Sequence, residues 1–96
     1  EEDLIDKALK IARDFTAESS QISVALTRQL MWRMLGADDP MEAHKVDSRA
    51  VNELGRSGEA EEGVMSFLEK RKPEFPGKVS KDMPSFYPWW TEKEFE

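Results

Sequence analysis

The chain has 96 residues, sets 20 acidic against 14 basic side chains for a formal charge of −6, is 39% hydrophobic and 35% charged, and contains no cysteine. A chain this short forms one small domain at most, and a hydrophobic share below the usual range with a charged share above it suits a thin helical layer rather than a thick core. The excess of acid excludes general nucleic-acid binding, the missing thiols exclude a disulfide framework and a thiolate metal site, and no apolar run approaches the roughly 20 residues needed to span a bilayer.

A first helix is expected from Asp3 to Glu18, because Leu4, Ala8, Ile11 and Phe15 recur at spacings of four, three and four and Ile5, Leu9 and Ala12 widen the stripe. Its polar face carries Asp6, Lys7, Lys10, Arg13 and Asp14, with Asp6 and Lys10 a favourable pair four residues apart. Ser19 or Ser20 caps a second helix whose apolar residues, from Ile22 through Leu26, Leu30 and Trp32 to Leu35, wrap most of the way round. A helix of that kind is covered on several sides, so it is central or packs on another chain. Gly36 is expected to end it in a left-handed conformation. Met31 and Met34 read first as ordinary core, with an adaptable acyl-binding surface as the alternative.

Asp39 as N-cap, Pro40 at the first helical position and Glu42 three residues after the cap mark the start of a third helix. Ala43, Val46, Ala50 and Leu54 form its stripe, and Gly55 or Gly58 ends it. His44 is the single histidine. Without a nucleophile or a second metal ligand at a useful spacing, it reads as a packing or surface residue.

Ser57 caps a fourth helix. Glu59, Glu61 and Glu62 suit its positive end and Lys70, Arg71 and Lys72 its negative end, while Pro73 closes the segment. Ala60, Val64, Phe67, Leu68 and Arg71 fall on one face of this helix, and Gly63 is expected to mark a close helix contact. After Pro73, prolines at 76, 84 and 88 leave an extended tail. Its aromatic residues, Phe75, Phe86, Tyr87, Trp89, Trp90 and Phe95, are too many for a purely solvated end, so the tail is expected to lie on something. The reading is therefore an all-α fold of about four amphipathic helices, with residues 1–75 as a helical domain and 76–96 as an extended Pro- and aromatic-rich tail.

The stretch Glu62-Gly63-Val64 through Phe67-Leu68-Glu69-Lys70-Arg71-Lys72-Pro73 to Phe75 resembles the last helix of the crotonase superfamily, the enoyl-CoA hydratases and isomerases. The similarity extends from Asp3 to Phe75, but only this stretch is specific. It departs from the family in having Thr27-Arg28 where a Thr-Lys pair is usual, in lacking a proline before the second helix, and in continuing some twenty residues past Phe75. The resemblance implies a carboxy-terminal layer that joins subunits into trimers and covers the acyl-CoA site, with the oxyanion hole and catalytic acids on a larger amino-terminal domain that these residues do not include. It also implies that Phe67 and Lys70 stand close to the adenine and phosphates of a CoA bound to a neighbouring subunit.

No nucleophile beside a base, no separated carboxylate pair, no metal constellation and no phosphate loop is visible in the sequence. The chain alone is therefore expected to be catalytically inert and to hold no metal or cofactor of its own, with acyl-CoA the substrate of the larger enzyme. Its acidic, helical start without an initiator methionine, unlike a signal peptide, reads as a fragment, and the missing cysteines suit a cytoplasmic protein. The rival reading, from a different class, is a free-standing helical module that docks a protein partner through its apolar faces and Trp-rich tail.

Overall fold

The computed structural model describes residues 2–95, and among these it contains four helices and no strand. The helices are α1 (Glu2–Thr16), α2 (Gln21–Arg33), α3 (Pro40–Leu54) and α4 (Gly58–Leu68). The all-α expectation, with a tail lacking regular structure, is what the chain adopts. Three of the starts are set by side chains. The Ser20 hydroxyl accepts from the Ser23 amide at 3.2 Å, Asp39 Oδ1 from the Met41 amide at 2.9 Å, and the Ser57 hydroxyl from the Glu59 amide at 3.2 Å. No described helix is long and apolar enough to cross a membrane.

α2 packs on α3 and α3 on α4, around a small core of Ile22, Leu26 and Val46. α1 stands apart from this layer, and every residue from Asp3 to Thr16 is exposed. The radius of gyration is 16.4 Å, where a compact chain of this length would have about 12.5 Å. The fold is thus an open layer with much apolar surface uncovered, including Met31, Trp32 and Leu35 on α2 and its exit.

Several local expectations are corrected. α2 ends at Arg33 with Met34 as a right-handed cap, and no glycine has a positive φ, so Gly36 plays no left-handed role. Lys10 pairs with Asp14 at 2.8 Å rather than with Asp6, and Lys7 pairs with Asp3. His44 is a surface residue. Gly63 faces the ring of Phe75 from the tail rather than another helix.

The largest correction concerns α4. Val64, Phe67 and Leu68 are 59%, 82% and 66% exposed, while Glu59 and Ser66 are buried. The apolar stripe faces outward because the tail, not another helix, returns along the opposite side. α4 ends at Leu68, earlier than the proline alone demands. Lys70 takes a left-handed φ of 55°, the Lys70 amide donates to Phe67 O at 3.2 Å and the Arg71 amide to Ser66 O at 3.0 Å. Those two bonds are the paired closure that normally ends on glycine, here made by a lysine. Lys70, Arg71 and Lys72 therefore lie beyond the helix and not in its last turn.

Candidate functional site

The exposed end of α4 gathers the two residues that the motif singles out. Phe67 projects from the last turn, and Lys70 sits at the left-handed corner three residues on, exposed and without an ion pair among the described residues. Its cationic neighbours are engaged. Arg71 grips the Glu62 carboxylate through both terminal nitrogens at 2.6 and 2.9 Å and Glu69 through Nε at 2.6 Å, and Lys72 lies 3.9 Å from Glu18. The uncompensated charge at this end is that of Lys70, a compact ammonium suited to a phosphate.

Glu62 also accepts the Glu74 amide at 2.7 Å. The guanidinium of Arg71, then that amide, holds the Glu62 carboxyl down to about 2 from the ordinary 4.5, and the same pairing raises Arg71. Glu59, expected only to complement the helix dipole, is buried and accepts the Gly77 amide through Oε1, leaving Oε2 without a partner. Gly77 comes so close that a Cβ there would overlap Ile22 Cδ1 and Glu59 Oε1. A third acid, Glu53 on α3, accepts both the amide and the hydroxyl of Ser85 at 2.5 Å, which lowers its carboxyl pKa. The acids of α3 and α4 thus fasten the tail, a role that local sequence does not signal, because the bonded partners lie 12 to 32 residues away.

Beyond Ser85 the tail folds into an aromatic cluster. Trp89 and Trp90 meet edge to face with centroids 4.9 Å apart, and Tyr87 packs on both. The Arg33 guanidinium lies 4.2 Å from the Trp90 ring centroid and 2.9 Å from Glu92 Oε1. Glu92 also accepts the Trp90 indole N–H at 2.8 Å, and that bond, then Arg33, lowers its pKa. Among the described residues no cluster of His, Asp and Glu is arranged to hold a metal, and the His44 side chain makes no hydrogen bond or ion pair to Asp47 or any other described residue. A groove of about 820 Å³ opens between α2 and α4, lined by Ser23, Thr27, Met31, Trp32, Ala60 and Phe75 among others. Met31 thus lies on an open surface rather than in a closed core.

Such a molecule is an open helical layer with one basic, aromatic edge. No family model matches the chain. It is, however, 45% identical over 71 residues to the enoyl-CoA hydratase AFT3-1 of Alternaria alternata, an overlap of 74% of this chain and 23% of that protein. The enoyl-CoA hydratase ACTT3 of the same organism is 44% identical over 71 residues, again 74% of this chain and 23% of the relative. A probable enoyl-CoA hydratase of Bacillus subtilis is 32% identical over 77 residues, 80% of this chain and 29% of the relative. The chain spans about a quarter of the length of these relatives. Over that span the chain is a relative of the enoyl-CoA hydratases, the likeness to the crotonase superfamily that the residues from Glu62 to Phe75 led us to expect.

Proposed function

We propose that this chain is the carboxy-terminal helical layer of an enoyl-CoA hydratase/isomerase-like enzyme acting in the cytosol, joining subunits into a trimer and bordering a neighbour's acyl-CoA site with Phe67 and Lys70. The observation that carries this reading is the joint exposure of those two residues at the end of α4. A phenyl ring 82% exposed has no core to serve, and the adjacent ammonium is the one cation of its cluster without an acidic partner among the described residues. A ring that borders a base and a point charge that meets a phosphate are the two contacts an adenosine diphosphate group calls for. Resemblance supports the remainder: water addition across an enoyl thioester, or a related enolate step, with oxyanion stabilisation supplied by residues outside this chain.

Saturation kinetics in the full enzyme test the reading. Lys70→Ala is expected to raise KM for an acyl-CoA while sparing kcat, and to leave a pantetheine thioester without the nucleotide unaffected, because the lost contact is equal in ground and transition states. Equal effects on both substrates, or none on either, remove the contact. The 96-residue chain alone is expected to leave crotonyl-CoA absorbance unchanged. Turnover that survives repurification contradicts a layer without a catalytic centre.

A further inference from the structure

The segment from Ser85 to Glu92 lies past the stretch that carries the family resemblance, and its contacts are specific at both ends. At one end Ser85 gives two donors to Glu53, which stands in the last turn of α3. At the other end Glu92 and the Trp90 ring enclose Arg33, the last residue of α2. Between them Trp89 closes one side of a cavity of about 270 Å³, whose walls include Leu26 and Leu30 of α2 and Val46 and Ala50 of α3. Ser23 and Leu54 line the same cavity, so the start of α2 faces the end of α3, and Arg33 and Glu53 lie toward opposite ends of the pair. The segment matches the groove in apolar content and in the order of its polar ends: donor toward Glu53, acid toward Arg33.

We infer that the α2–α3 face, with Glu53 and Arg33 at its two ends, is a peptide-recognition groove for the Ser85–Glu92 segment of a second copy, occupied here by the chain's own tail. The tail is fastened at Glu74 and Gly77 by Glu62 and Glu59. The stretch from Lys78 to Pro84 that follows is an exposed and half-buried turn apart from the buried Pro84, and its seven residues extend about 23 Å at most. Exchange between copies forms the same contacts in trans that are made in cis, so the choice depends on the effective concentration of the attached tail.

The test uses a fluorescent peptide of residues 83–95 and anisotropy against the 96-residue chain. The intact chain is expected to bind it weakly, because its own tail competes. A chain carrying Trp89→Ala, Trp90→Ala and Glu92→Gln, which empties the groove and leaves its walls untouched, is expected to bind at least tenfold tighter. Adding Arg33→Ala and Glu53→Gln to that variant is expected to lower the affinity at least tenfold again, and a scrambled peptide is expected not to bind. Absence of binding to the emptied groove overturns the proposal, as does binding indifferent to Arg33 and Glu53. Should the triple variant lose its helices by circular dichroism, acrylamide quenching of tryptophan emission in the single variants Arg33→Ala and Glu53→Gln decides. Quenching is expected to rise in both as the tail leaves its seat, and unchanged quenching overturns the proposal. Neither measurement involves acyl-CoA, so failure here is separate from failure of the proposed function.

Discussion

Lys70 carries two demands in opposite directions. A side chain at φ 55° crowds its own backbone and costs roughly 1 kcal/mol relative to glycine. Lys70→Gly is therefore expected to stabilise the chain by about 1 kcal/mol, a rise of roughly 4–8 °C in Tm for a domain of this size, whereas Lys70→Ala keeps a Cβ in the same place and gains nothing. Thermal unfolding of the two variants checks this. If the proposed phosphate contact also holds, the glycine variant of the full enzyme is more stable yet binds acyl-CoA more weakly, an opposition that a merely structural lysine does not produce. Gly77 is the converse case. A methyl group there meets Ile22 and the Glu59 carboxylate together, so Gly77→Ala is expected to lower stability by about 1–3 kcal/mol, read as a lower urea midpoint at unchanged slope.

At the scale of the element, α4 is joined to the tail by Glu62, Arg71 and the Glu74 amide. The Glu62 carboxyl titrates near 2 when folded and near 4.5 when free, so the unfolded chain takes up its proton first as the medium is acidified. Its contribution to stability is fully present above pH 4.5 and lost as pH falls from there toward 2. Glu53 and Glu92, lowered by their own tail contacts, act in the same direction. Glu62→Gln is expected to reduce stability at pH 7 and to flatten the decline of Tm below pH 4.5, and a variant that retained the full decline would exclude Glu62 as its source. Much of α2, α3 and α4 was legible beforehand because capping is local: Ser57, Asp39 and Ser20 each bond an amide two or three residues away. Periodicity found the apolar stripe of α4 but not its fate, since spacing shows which residues share a face and nothing of what arrives to cover it. The tail fasteners were out of reach for the same reason, with Arg33 and Glu92 separated by 59 positions. Of the candidate site, motif order supplied Phe67 and Lys70, whereas their shared exposure depends on a helix that stops two residues before Lys70.

Taken whole, the molecule exposes 8127 Å², about 2,500 Å² more than a compact protein of its mass. That excess is larger than the total area of a standard stable interface, about 1,600 Å², and it includes the outward stripe of α4. Val64→Ser with Leu68→Ser is therefore expected to reduce self-association in a sedimentation concentration series while leaving unfolding stability within about 0.5 kcal/mol of the parent chain, as exposed positions do. A chain that stayed monomeric at every concentration before the change would remove the premise. α1 presents the extreme of the same openness. Fifteen residues make a helix of marginal length in water, and this one has its apolar stripe of Leu4, Ile11 and Phe15 turned to solvent. Its amide hydrogens are consequently governed by local opening rather than by the stability of the α2–α4 layer. In deuterated buffer they should exchange orders of magnitude sooner than those around Ile22 and Leu26, and any surface that comes to cover α1 should announce itself by slowing them.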